Sequence, residues 1–157
     1  MQRATAWRRA GIVLAAVLVC DLLTKEWVTS SLTRDERRSF LPGIDLVHVR
    51  NDGVAFGVLS GGGAVVVAVI AAALLGLVAY FASHADRPLV WLPTGLLVGG
   101  ALGNLLDRAG DGEVTDFIKL PLWPAFNLAD VAITVGVLTL VYVIEAAPEP
   151  DGDHGRA

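Results

Sequence analysis

Apolar residues along this chain gather in four long blocks, Ala10 to Val28, Gly61 to Ala82, Leu89 to Leu106 and Phe126 to Glu145. Their middles are apolar throughout, and each block is long enough to cross a hydrocarbon core of about 30 Å, which takes roughly 17 to 25 residues of helix. The pattern predicts four membrane-spanning helices. Tyr80, Phe81 and Trp91 flank the short turn from Ser83 to Pro88, and aromatic rings with a polar edge favour the membrane interface. That turn therefore reads as a tight hairpin between the second and third spans.

The two longer connections carry other patterns. From Phe40 to Leu59 the chain reads as extended: Ile44, Leu46 and Val49 are strand formers, Pro42-Gly43 supplies a turn, and Asp52-Gly53 is a hairpin signal. A small sheet on the membrane surface is expected there. Between Asp107 and Ala125, Gly110-Asp111-Gly112 makes a turn, and Pro121 and Pro124 forbid a continuous helix. Residues 146–157 have almost nothing to bury and read as a disordered tail. In the third span, Gly95, Gly99 and Gly103 clear one helical stripe, which serves close helix packing or, on a second reading, a groove for substrate.

Composition sharpens this picture. The 157 residues are 54% hydrophobic and 18% charged, with a mean hydropathy of +0.60, too apolar for an ordinary soluble domain. Of the net charge of −4, Glu145, Glu149, Asp151 and Asp153 against Arg156 place −3 at the C-terminal end. The body is nearly neutral, so no nucleic-acid partner is implied. Arg3, Arg8 and Arg9 ahead of the first block resemble a targeting signal, but Val19 precedes Cys20 where a lipoprotein-type signal needs a small residue, and the apolar run continues to Val28. It reads as a retained span. Cys20 is expected to be buried and inert, and His48, His84 and His154 lack the spacing of metal ligands, so neither metal nor cofactor is expected.

The polar residues then become informative. Because successive spans reverse direction, the end of the first, the start of the second, the end of the third and the start of the fourth share one side. On that side lie Asp21, Thr24 and Lys25, then Asn51-Asp52-Gly53, then Asn104, Asp107 and Arg108, then Asp116, and finally Asn127 and Asp130. Ionisable groups at membrane depth are costly and usually functional, and a transporter would carry them nearer the midplane. Simpler roles exist for each: Asp21 and Lys25 as a helical ion pair, Asn127 and Asp130 as a helix cap, Arg108 as a brace for a loop or carboxylate. Yet no serine or cysteine on this side has a recognisable base, whereas two carboxylates hydrolyse a peptide without a metal or a covalent intermediate. One, ionised, takes a proton from water; the other, protonated, donates to the scissile carbonyl.

Five blocks resemble the lipoprotein signal peptidases, or signal peptidase II: Asp21-Leu-Leu-Thr24-Lys25, Asn51 to Gly57, Gly99 to Arg108, Val114 to Phe117 and Phe126 to Asp130. The resemblance implies an all-α integral membrane protein of the bacterial inner membrane, with four transmembrane helices, an extracytoplasmic β-cradle and a short helix on the same side. Both termini would be cytoplasmic; the basic residues, split almost evenly between the two sides, do not orient the chain by themselves. It makes Asp116 and Asp130 the catalytic dyad, and puts Asp21, Lys25, Asn51, Gly53, Asn104, Arg108 and Asn127 in supporting or substrate-binding positions. The implied reaction is cleavage of a diacylglyceryl-modified prolipoprotein just before its lipidated cysteine, by a monomer in contact with membrane lipid, with globomycin as inhibitor. Asp130, in the first turn of its span, sits where the helix dipole favours a carboxylate, leaving Asp116 as the acid. The rival readings are a small proton-coupled transporter and a non-catalytic membrane scaffold.

Overall fold

The computed structural model describes residues 2–51 and 63–146. Its elements in chain order are α1 (Gln2–Ser31), β1 (Arg37–Leu41), β2 (Ile44–Asn51), α2 (Gly63–His84), α3 (Trp91–Gly110), β3 (Val114–Lys119) and α4 (Leu128–Glu145). Each apolar block thus forms a helix, and α1 extends beyond its block in both directions. Asp52-Gly53 and the tail from position 147 onward lie outside the described residues. So does whatever follows β2 in the first connection, and the short helix implied by the resemblance has no counterpart among the described residues.

The glycine-rich α3 is the middle of the bundle, packed on α1, α2 and α4. A Cβ at Gly95 would fall 2.7 Å from the Ala10 carbonyl oxygen, and one at Gly99 would fall 2.9 Å from that of Leu14. Gly100 faces the other way, where a Cβ would meet the Ala129 carbonyl oxygen at 2.6 Å. The glycines therefore serve backbone approach, α1 on one side and α4 on the other, and the reading of the stripe as a groove gives way to packing. At the far end of the bundle, Ala6, Ala10, Phe81, Ala85, Val90 and Val143 form a buried cluster. Phe81 is fully buried, with Trp7 edge-on at 4.6 Å between ring centroids, so it is a core residue and not the interfacial ring its position suggests.

Outward surfaces stay apolar. Leu23, Leu75 and Leu138 are 64%, 72% and 66% exposed, and Val131, Val135, Val141 and Ile144 join Leu138 on the outside of α4. Cys20 is exposed as well, contrary to expectation, at an open hollow that it lines with Leu96 of α3 and Leu128 and Val131 of α4. Among the described residues, α4 is the one helix with both the length and the composition to cross a membrane; the apolar stretch Ala68–His84 is shorter.

The sheet is antiparallel in the order β1-β2-β3. Gly43, with φ of 79°, makes the expected turn between β1 and β2. The sheet begins earlier than the hydrophobic pattern suggests, at Arg37, and its third strand comes from the second connection. The register of β2 on β3 slips by one residue, from Leu46↔Ile118 to Val49↔Asp116. A bulge of this kind turns the following side chains to the opposite face, so Asn51, two residues beyond Val49, shares the face of Asp116. Val28, Leu32 and Phe117 form the buried seam between the end of α1 and β3.

Candidate active site

Asp116 and Asp130 reach the site by different routes. Asp116 sits in the middle of β3 and is 2% exposed. Asp130 is the third residue of α4, half-buried, and belongs to a reciprocal cap. Its backbone N–H donates to Asn127 Oδ1 at 3.0 Å, while the Asn127 backbone N–H donates to Asp130 Oδ2 at 3.2 Å. After β3 the chain doubles back through Pro121 and Pro124, and Phe126 pairs with Ile118 through its N–H and carbonyl. That pairing sets Asn127 beside Asp116.

Asn127 is the hub. Its Nδ2 donates to Asp116 Oδ1 at 2.8 Å and makes longer contacts with Asn104 Oδ1 at 3.1 Å and the Thr115 carbonyl at 3.3 Å. Asn51 Nδ2 donates to the other oxygen of Asp116 at 2.9 Å. Asn104 Nδ2 donates to Asp130 Oδ1 at 2.8 Å. Each carboxylate thus accepts two N–H donors, and a single residue, Asn127, touches both.

A second layer holds the asparagines. Lys25, 4% exposed, donates to Asn104 Oδ1 at 3.1 Å and lies 2.7 Å from Asp21 Oδ2 and 2.9 Å from Asp107 Oδ2. The Asp21 contact is an ion pair rather than a well-directed hydrogen bond. Asp21 Oδ1 accepts the backbone N–H of Ala129 at 2.9 Å, which ties α1 to the first turn of α4. Asp107 also accepts the Thr115 N–H at 3.1 Å, anchoring β3 beside α3. Buried charges persist when paired and hydrogen-bonded in this way. Gly103 leaves room for the Asp21 carboxylate: a Cβ there would lie 2.5 Å from Asp21 Oδ2.

The structure therefore brings together Asp21, Lys25, Asn51, Asn104, Asp116, Asn127 and Asp130. Arg108 stands at the edge, donating to the Asn104 carbonyl at 3.3 Å, with no carboxylate partner among the described residues. Gly53 lies outside the described residues. Asp107, which the sequence places on the same side without a specific partner, links Lys25 to β3. Its place in the Gly103-Asn104-Leu-Leu-Asp107-Arg108 block was the available signal.

Burial pushes the Asp116 carboxyl up to about 6 from its ordinary value near 3.8. The Asn51 donor works against that rise, the charge of Asp130 adds to it, and Asn127 and Lys25 oppose it. A hollow of about 330 Å³ lies between α1, α3 and α4, with Cys20, Leu96 and Leu128 in its lining, and two more apolar hollows flank α4. One, of about 280 Å³, holds Asp130 among Leu120, Trp123, Phe126 and Thr134. The other, of about 490 Å³, lies between α2, α3 and α4, with Asn104 and Arg108 among the apolar residues that line it.

Long helices with apolar outer faces, gathered against a small sheet around a buried carboxylate pair, define a membrane enzyme. Two solved structures, each described as a bacterial membrane enzyme determined by the in meso method, share the fold. One has a TM-score of 0.83 at 28% identity over 88% of this chain and 94% of that one; the other has 0.82 at 27% identity over 94% of each. The chain belongs to the signal peptidase II family, whose model matches residues 13–145. It is 40% identical over 142 residues to the lipoprotein signal peptidase of Moorella thermoacetica, covering 89% of this chain and 93% of that protein. To the one from Syntrophomonas wolfei it is 41% identical over 129 residues, covering 82% and 87%.

Proposed function

We propose that this protein is a membrane aspartic endopeptidase that removes the signal peptide from diacylglyceryl-modified prolipoproteins, cutting just before the lipidated cysteine. The observation that carries the reading is the bridging of Asp116 and Asp130 by one asparagine beside apolar hollows. Two carboxylates in such contact disfavour double ionisation, which leaves one acid and one base.

In this mechanism Asp130 is the base and Asp116 the acid. Asp130 takes a proton from a water molecule whose oxygen attacks the scissile carbonyl carbon, and Asp116 gives its proton to the carbonyl oxygen. The resulting gem-diol collapses as Asp130 returns its proton to the departing nitrogen of the cysteine and Asp116 recovers one from a diol hydroxyl. The products are a signal peptide with a free carboxylate and a lipoprotein with a free α-amino group. Asn51, Asn104 and Asn127 hold the carboxylates, Lys25 holds Asn104, and Asp21 holds Lys25 and the start of α4. Arg108 and Gly53 are assigned to substrate contact.

Residues 1–145 act as one peptidase domain in this reading. The four helices each span the bacterial inner membrane, both termini are cytoplasmic, and the sheet lies on the extracytoplasmic face. A monomer suffices, since every residue of the mechanism comes from one chain. The apolar exteriors of α1 and α4 support this placement, and the hollows beside Asp130 and Asn104 suit a substrate whose acyl chains stay in the bilayer. The test is conversion of a lipidated prolipoprotein by purified protein beside Asp116→Asn and Asp130→Asn. Loss of cleavage by at least about a hundredfold in both folded variants is expected for acid–base partners. Normal cleavage by either one refutes the dyad.

A further inference from the structure

We propose that the end of the bundle remote from Asp116 and Asp130 carries a binding site for the headgroup of an anionic phospholipid. This rests on the membrane-spanning reading above but not on the dyad. A cleft of about 650 Å³ opens there between the start of α1 and the turn joining α2 to α3, lined among others by Gln2, Arg9, Arg87, Leu89 and Trp91. The Arg9 guanidinium lies over the Trp91 ring, 5.6 Å from its centroid, an arrangement that fixes the direction of an otherwise flexible cation. Arg87, in the turn joining α2 to α3, also lines the cleft. Asp86 is the one carboxylate in the lining, so a positive charge is left over.

Arg108 apart, which donates to the Asn104 carbonyl, the guanidinium groups of the sheet end are used differently from those of this cleft. There, Arg34, Arg37, Arg38 and Arg50 are each paired, with Glu113, Asp45, Glu36 and Asp111 in turn. Here, among the described residues, Arg8, Arg9 and Arg87 form no ion pair. Arg3 is used structurally, donating to the Ala82 carbonyl at 2.7 Å and so holding α1 against the last turn of α2. Guanidinium groups match phosphate oxygens with paired N–H donors, so two of them converging on one cleft suit a phosphate. The rest of the lining suits what a lipid attaches to that phosphate. Trp91, Pro88 and the half-exposed Leu89 offer apolar surface for the glycerol and upper acyl carbons, and Trp7, 45% exposed, stands nearby on α1 at the same end. A free phosphate would gain nothing from that surface.

Full-length protein in nanodiscs of phosphatidylcholine, doped with phosphatidylglycerol, provides the test, read as lipid retained on release into detergent under native mass spectrometry. Phosphatidylglycerol should be retained selectively. The double variant Arg9→Gln/Arg87→Gln should lose about twentyfold of that retention, each cation near an anionic lipid contributing about fivefold. Prolipoprotein cleavage in pure phosphatidylcholine should not change. Equal retention by the double variant, equal retention of phosphatidylcholine, or displacement by millimolar inorganic phosphate would each overturn the site. If the double variant does not fold, Arg87→Gln alone, whose side chain has no hydrogen bond or ion pair among the described residues, must show the fivefold drop. Failure of the wild type to enter nanodiscs would refute the spanning topology and this site together. Retained selectivity in Asp116→Asn would keep the lipid site distinct from the fate of the dyad.

Discussion

Replacing Asp116 by asparagine should raise the melting temperature at pH 8, lower it at pH 4, and end cleavage at both. The Asp116 carboxyl is raised from near 3.8 to about 6, first by burial. The folded state therefore holds this proton more tightly than the unfolded chain does. Stability is full below pH 4 and declines as pH climbs through 6, and above that the loss reaches about 3 kcal/mol for a shift of about two units. Asparagine carries no charge and escapes this loss. It introduces another, because the carboxylate accepts an amide N–H on each oxygen, from Asn51 at 2.9 Å and Asn127 at 2.8 Å, whereas an amide has one acceptor oxygen. One of the two donors must therefore turn over or face an N–H, at a pH-independent cost of about 1–2 kcal/mol. The net is a gain of about 1–2 kcal/mol at pH 8 and a loss of about 1 kcal/mol at pH 4, or a few degrees either way in a chain of this size. Thermal melts of both proteins in one detergent measure it, and titrating groups that do not interact with Asp116 cancel in the difference. A melting-temperature difference of the same sign and size at both pH values would refute the burial argument, whatever happens to activity.

Cleavage by the wild type should fall about tenfold per pH unit above about 6 in kcat/KM, as an acid with that pKa loses its proton; a profile flat to pH 9 would remove Asp116 as the acid. Asn127→Ala should lower stability by about 2–3 kcal/mol, combining a lost cap with stranded hydrogen-bond groups, and should cut kcat far more than it raises KM. Lys25→Met leaves Asp21 and Asp107 buried against each other without a cation and should cost about 3–5 kcal/mol in denaturation or abolish folding. Gly103→Ala should destabilise by about 1–3 kcal/mol through collision with Asp21, while Gly76→Ala, with nothing within 4 Å of the new Cβ, should be neutral or better in the same melts.

Much of this molecule was legible in its sequence, and the exceptions have a common physical cause. The four helices follow from the apolar blocks because a helix satisfies its backbone locally. Span parity put Asp21, Asn104, Asp116 and Asp130 on one side, and geometry joins those residues. What escaped were features set by distant partners. Val114–Lys119 holds the strand formers Val114, Thr115, Phe117 and Ile118, but the partner that makes it part of a sheet, β2, lies more than 60 residues away in sequence. Composition alone makes Cys20 a core residue and Phe81 an interfacial one. Burial reverses both, since Cys20 lies exposed at an open hollow and Phe81 points in toward Trp7. The bridging role of Asp107 likewise needed α1 and β3 to be seen against α3.

The reciprocal cap between Asn127 and Asp130 has a consequence in time. The residues that cap α4 are also those that hold both carboxylates, so the site cannot assemble before the last helix begins. Asp21, near the other end of the chain, completes the same turn through the N–H of Ala129. A nascent chain emerging helix by helix is therefore inert toward every peptide around it until its final span arrives. The protease carries its own arming step, written into the first turn of its last helix.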